Sequence, residues 1–149
     1  MLIREMTVKD ISQAVEIENT CFSLPWSEKS FQESITREDT IFLVSEEQTS
    51  VITGYIGMYL SFDEGNITNV AVSPQHRKKG YGEALVSAAK EKAKEKQIEK
   101  IFLEVRVSNS PAISLYEKMG FENLGVRKNF YEKPNEDGII YTKYLGEDK

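Results

Sequence analysis

The order of periodicities along the chain predicts an α/β protein with a mixed β-sheet and helices on both faces, in the order β-α-α-β-β-β-α-β-α-β-β. Three observations carry this. Short runs alternate apolar and polar residues with the period of a strand. Longer runs repeat apolar residues every three or four positions. Proline, glycine and short polar segments mark the joins.

Residues 2–6 (LIREM) alternate in strand fashion, and Thr7 with Asp10 then forms a capping-box-like start. Ile11, Ala14, Val15, Cys21 and Phe22 recur at helical spacing, with Glu18 interrupting that face. Pro25 separates this helix from a second, opening near Ser27 and running through Phe31 and Ile35. The runs 41–45 (IFLVS) and 51–60 (VITGYIGMYL), joined by EEQT, read as a hairpin in which Gly54 and Gly57 hint at a bulge. Another strand at 66–72 ends at Ser73-Pro74, and a loop over 73–79 leads into a helix at about 81–97. There Leu85, Ala88, Ala89 and Ala93 face inward, and the KEKAKEK run faces water.

Residues 101–107 (IFLEVRV) form a strand with Ile101, Leu103, Val105 and Val107 on one side and Phe102, Glu104 and Arg106 on the other. A short helix follows, with Ser110 as a plausible cap, Pro111 at the first helical position and Gly120 as its stop. Strand-like runs at about 121–130 and 138–145, hinged by PNEDG, complete the order.

A chain of 149 residues with 40% hydrophobic content is read as one domain spanning 1–149, long enough to bury roughly 70% of its unfolded surface. Neither a signal-like N-terminus nor an apolar run of about 20 residues is present, so a cytoplasmic location and no membrane partner are expected. The net charge of −5 argues against direct nucleic-acid binding. One cysteine, Cys21, and one histidine, His76, provide no disulfide framework and no metal cluster; Cys21 reads as a packing residue and His76 as a solvated loop residue.

Residues 76–86 (HRKKGYGEALV) place three bases and two glycines at a helix start. Bare backbone, unpaired N–H groups and the helix dipole suit a phosphate there, with Arg77, Lys78 and Lys79 adding charge. The motif is neither GxxxxGK[ST] nor a full dinucleotide fingerprint. What it matches is R-x-x-G-x-G between a strand and a helix.

Together, NVAVSPQHRKKGYGEALV and LEVRVSNSPAISLYEKMGF resemble the GCN5-related N-acetyltransferase superfamily. The resemblance implies that fold and acetyl-CoA as acetyl donor. It also implies that backbone groups of Val70, Ala71 and Val72 meet the acetyl–pantetheine arm, and that the segment Lys78, Lys79, Gly80, Tyr81, Gly82 and Glu83 meets the phosphates. FSLPWSEKSF, LEVRVSN and RKNFYEKPNEDGIIY are similar, more narrowly, to the bacterial ribosomal-protein-alanine N-acetyltransferases of the RimI type. That likeness implies the N-terminus of a small-subunit ribosomal protein as partner, with the turn after the first helix and the final hairpin flanking the acceptor channel. Phe130 departs from the family, which commonly has a tyrosine beside Tyr131.

Acyl transfer to an amine needs the amine neutral and the leaving thiolate protonated or stabilised. Glu104 is a carboxylate in an otherwise apolar strand, where partial burial would favour a base; a same-face ion pair with Arg106 is the other reading. The resemblance implies the general base at Glu104. Tyr116 lies on the apolar stripe Ala112, Leu115, Tyr116, Met119 and reads as a core tyrosine, whereas the resemblance implies a general acid toward the coenzyme A sulfur. Asn109 can cap the helix; the resemblance implies that it holds the pantetheine arm. An α-amine is neutral in roughly a tenth of molecules at pH 7 and a lysine in about one per few thousand, which favours an N-terminal acceptor for a lone glutamate base. A lysine or small-amine acetyltransferase and a non-catalytic acyl-CoA-binding module are the alternatives.

Overall fold

Seven strands form one sheet in the computed structural model, which describes residues 1–48 and 50–147. They are β1 (Leu2–Glu5), β2 (Thr40–Glu47), β3 (Val51–Ser61), β4 (Glu64–Val72), β5 (Lys100–Arg106), β6 (Glu122–Tyr131) and β7 (Glu136–Tyr144), in the spatial order β1-β2-β3-β4-β5-β7-β6. Only β4 and β5 pair in parallel; the other neighbours are antiparallel. Four α-helices, α1 (Ile11–Cys21), α2 (Glu28–Ile35), α3 (Tyr81–Glu95) and α4 (Ser110–Lys118), complete the order expected from the periodicities. Thr49, in the turn of the expected β2–β3 hairpin, lies outside the described residues.

Strand alternation distributes the core between two layers. Ile41 and Leu43 turn toward α3, where they meet Leu85, Val86, Ala89 and Ala93, while Phe42 and Val44 turn toward α1 and α2, where they meet Ile11, Ala14, Ile17 and Phe31. The larger of these buried side chains, the isoleucines, leucines, valines and phenylalanines, each contribute about 1.5–3 kcal/mol of transfer free energy. Local signals set the helix entries. The Thr7 N–H donates to Asp10 Oδ2 at 2.7 Å ahead of α1, and Ser27 Oγ accepts from the Ser30 N–H at 3.1 Å at the start of α2.

The glycine-marked irregularity proves to be two bulges. Ser45 pairs with Gly54 and Glu46 with Ile52, leaving Thr53 extra; Gly57 pairs with Asn69 and Met58 with Ile67, leaving Thr68 extra. At Gly57 a β-carbon would sit 2.4 Å from the Phe42 ring, so only glycine lets that ring lie across the strand. The extra residue at Thr68 reverses the alternation of β4. Ile67 therefore packs on the α3 side, whereas Ala71 packs with α1 and α2.

Two boundaries differ from the sequence expectation. The cap of α4 is Asn109, whose Oδ1 accepts from the Ala112 N–H at 3.3 Å; Ser110 is the first helical residue and Pro111 the second. The longer Asn side chain reaches the third helical N–H from outside the helix. Strand β5 ends at Arg106, leaving Val107 41% exposed beyond it.

Candidate functional site

The parallel pairing of β4 with β5 covers only Glu64–Asn66 against Lys100–Phe102. Beyond it neither Ile67–Val72 of β4 nor Leu103–Arg106 of β5 has the other as a ladder partner, so the two strands part in the middle of the sheet. A cleft of about 640 Å³ opens there. Its walls come from both strands, the end of α1 and the segment after it, the start of α4, and the β6–β7 hairpin.

Four of the sequence-selected residues line this cleft: Val70, Glu104, Asn109 and Tyr116. Glu104 is half-buried on β5. Arg106 does not pair with it, being turned to Pro134 O, Glu132 O and Glu136, so the ion-pair reading gives way. Opposite stands Tyr131, whose hydroxyl is pushed up to about 12 by burial, with the Glu104 carboxylate adding to the shift and Arg106 opposing it. Tyr116 has the core packing the sequence stripe implied, its ring buried against Phe121 and Tyr141 at 5.5 and 6.3 Å between centroids, and the residue also lines the cleft. Burial raises the phenol's pKa well above its ordinary value, so it stays protonated. Asn109 uses Oδ1 on the α4 cap and retains its amide N–H groups as donors.

Ala71, Val72 and the segment 78–83 are not on those walls; they continue along β4 to the start of α3. Ala71 is directed to the α1–α2 layer. Lys78 and Gly80 take left-handed backbone angles, φ +64° and +86°, and Gly80 is the cap of the 15-residue α3. The first helix-closing bond is from the Ala84 N–H to Gly80 O at 3.0 Å, so the N–H groups of Tyr81, Gly82 and Glu83 have no carbonyl within α3 to receive them. Tyr81 contributes backbone only, since its ring is buried and its hydroxyl donates to Glu47. The Glu83 side chain is engaged with Lys118 at 3.1 Å, which ties α3 to α4. Arg77 departs from expectation: Nε donates to Val72 O and Nη2 approaches Cys21 Sγ, both at 3.2 Å, leaving the exposed Lys78 and Lys79 as the charges beside the helix start. The donor set is that of an anion site, bare N–H groups at a helix N-terminus with two ammonium groups nearby.

The sequence reading missed Glu18. It is 3% exposed, accepts from the Tyr55 hydroxyl through Oε1 and from the Trp26 N–H through Oε2 at 2.8 Å, and lines the cleft. It thereby fixes the turn carrying Phe22, Ser23, Leu24 and Trp26 to the body of the protein. The available signal was a carboxylate on the same face as Ile11, Ala14 and Ile17. Glu18→Ala is expected to cost about 2–4 kcal/mol, because it leaves a buried hydroxyl and a backbone N–H without an acceptor and opens a void; urea unfolding compared with wild type measures it. Among the described residues no three His, Cys, Asp or Glu side chains gather as a metal site, and no helix is long and apolar enough to cross a membrane.

The model of the acetyltransferase (GNAT) family matches residues 11–121. The chain belongs to that family. This acetyltransferase is 38% identical over 97% of its length to a protein of Bacillus subtilis (strain 168), covering 96% of that relative, whose name as a ribosomal protein bS18-alanine N-acetyltransferase is provisional. It is 31% identical to the Escherichia coli (strain K12) ribosomal protein bS18-alanine N-acetyltransferase, over 93% of each chain. The crystal structure of the ribosomal-protein-S18-alanine N-acetyltransferase from Escherichia coli superposes on the acetyltransferase with a TM-score of 0.88 at 29% identity, covering 97% of this chain and 93% of that one.

Proposed function

We propose that residues 1–149 form one N-acetyltransferase domain that transfers acetyl from acetyl-CoA to the N-terminal alanine of a small-subunit ribosomal protein, by direct attack in a ternary complex. The observation that carries this reading is the parting of β4 and β5, which puts a half-buried carboxylate and a buried, protonated phenol on the walls of one cleft. The full-length likeness to the alanine acetyltransferases of Bacillus subtilis and Escherichia coli supports the acceptor.

In this reading the side of β4 that faces the parted β5, at Val70, Ala71 and Val72, and the amide of Asn109 hold the pantetheine arm, with the Val72 carbonyl already engaged by Arg77. The N–H groups over Tyr81, Gly82 and Glu83, with Gly80, Lys78 and Lys79, hold the phosphates. When bound, acetyl-CoA supplies an activated thioester carbonyl. Glu104 accepts a proton from the acceptor ammonium, directly or through a water, which frees the nitrogen lone pair for attack. The new N–C bond forms as the C–S bond breaks, Tyr116 gives its proton to the departing sulfur, and the second proton, shed by the nitrogen as it becomes an amide, passes through the cleft to restore the Tyr116 phenol. The turn held by Glu18 and the β6–β7 hairpin flank the acceptor's entry. An acetylatable amine with a low pKa suits this arrangement, because one carboxylate has less proton affinity to overcome at an α-amine than at a lysine.

Coenzyme A release with three short peptides tests the acceptor: one with a free N-terminal alanine, its Nα-blocked twin, and a blocked peptide containing lysine. Turnover with the first alone is expected. Turnover with the blocked lysine peptide would assign the chain to side-chain acetylation, and silence with all three would remove the acceptor reading.

A further inference from the structure

The β6–β7 hairpin supplies much of one cleft wall through Asn129, Phe130, Tyr131, Glu132, Lys133 and Pro134, yet little of it is secured by core packing or by the sheet. The side chains of β6 are almost all exposed, and β6 is the outer strand. Its ladder with β7 breaks after Arg127 opposite Gly138 and resumes only at Tyr131 opposite Glu136. A hairpin with an interrupted ladder and a solvent-facing strand has low local stability unless something else fixes it.

One side chain of β5 meets it from inside the cleft. Arg106 donates through Nη1 to Pro134 O at 2.9 Å and to Glu136 Oε1 at 3.1 Å, and through Nη2 to Glu132 O at 2.9 Å. Its guanidinium carbon stands 4.5 Å from the Tyr131 ring centroid. Glu136 in turn accepts from the Ser108 N–H through Oε2 at 2.7 Å, which ties the hairpin to the turn between β5 and α4. Two carbonyls, a carboxylate and an aromatic face are gathered by one planar group with several divergent donors. An ammonium at the same place is a single point of charge and does not reproduce that fork.

We propose that Arg106 is a positioning residue that holds the β6–β7 hairpin as the acceptor-side wall of the cleft, so that acceptor binding depends on it and acetyl-CoA binding does not. Arg106 is two residues from Glu104 on the same strand, on the same side of the sheet, so the wall it holds is registered against the carboxylate. The phosphate-type donors at the start of α3 are not among its partners, since the Arg106 guanidinium bonds and stacks only with residues of 131–136 among the described residues. This inference rests on the acetyl-transfer reading for its kinetic part.

The test compares wild type with Arg106→Met and Arg106→Lys by steady-state kinetics with the free-alanine peptide, and by hydrogen exchange of the peptide-free protein. Arg106→Met is expected to raise KM for the peptide by about tenfold or more and to leave KM for acetyl-CoA within about twofold. Amides over 128–135 should exchange faster while those of α3 stay unchanged, and Arg106→Lys should fall between. A peptide KM that does not move, or a parallel rise in both KM values, overturns the proposal. If Arg106→Met does not fold, Glu136→Gln loosens the same fork without touching the core, and an unchanged peptide KM in that variant overturns it equally. Absence of turnover by wild type would sink the acceptor reading alone. Hydrogen exchange would still decide whether Arg106 holds the hairpin, and unchanged exchange over 128–135 would refute it.

Discussion

Replacing Glu104 by Gln is expected to lower kcat by about 10²–10³-fold with the alanine peptide, while acetyl-CoA binds as before. Glutamine keeps the shape and the half-buried place on β5 but cannot accept the ammonium proton. Arg106, its neighbour on the same face of β5, does not engage the carboxylate, being committed to Glu132, Pro134 and Glu136. Loss of a side chain that acts only as the amine is deprotonated should appear in kcat and kcat/KM together and leave the acetyl-CoA KM unchanged. Steady-state kinetics from pH 6 to 9 measures it. A Glu104→Gln enzyme with the wild-type rate across that range would remove Glu104 from the chemistry.

Tyr116→Phe is expected to reduce kcat by about tenfold to a hundredfold, less than Glu104→Gln, because a thiolate near pKa 8.5 needs less help in leaving than an ammonium needs in losing its proton. The ring remains in its place against Phe121 and Tyr141, so folding is largely preserved. The sign of the pH effect follows from burial, which raises the pKa of Tyr116 and keeps the proton-donating form at alkaline pH. The wild-type kcat should therefore show no alkaline fall attributable to Tyr116 up to about pH 10, above the ordinary tyrosine value. A fall below pH 10 that disappears in Tyr116→Phe would contradict a buried, protonated donor.

The parts of this molecule that depend on neighbours in sequence were legible from it. The run 41–45 was read as a strand, and in the structure it is one, with Ile41 and Leu43 in one core layer and Phe42 and Val44 in the other. The Thr7–Asp10 and Ser27 signals sit at helix entries because a cap is decided within a few residues. Glycines 54 and 57 marked the bulged stretch, but which residues are extra is set by the partner strands and by the Phe42 ring lying over Gly57. The early end of β4–β5 pairing, on which the cleft depends, is likewise a relation between strands far apart in the chain.

The same distinction governs the site. Glu104 and Tyr116 were chosen within motifs and lie in one cleft. Glu18 was overlooked because its partner Tyr55 lies 37 residues away, and without that partner a carboxylate in an apolar stripe reads as a defect. Arg77 was assigned to the phosphates by proximity to Lys78 and Lys79, yet its side chain folds back to Val72 and Cys21. For Asn109 and Ser110, both able to cap, the choice turned on which side chain reaches the Ala112 N–H.

One measurement addresses the central claim directly: the position of the acetyl group, by fragment mass spectrometry, on a single peptide that carries both a free N-terminal alanine and an internal lysine, after incubation with the protein and acetyl-CoA. Acetyl confined to the alanine α-amine, and strongly reduced with the Glu104→Gln protein, is the expected result. Acetyl on the lysine, or none on either amine, would contradict Nα-acetyl transfer.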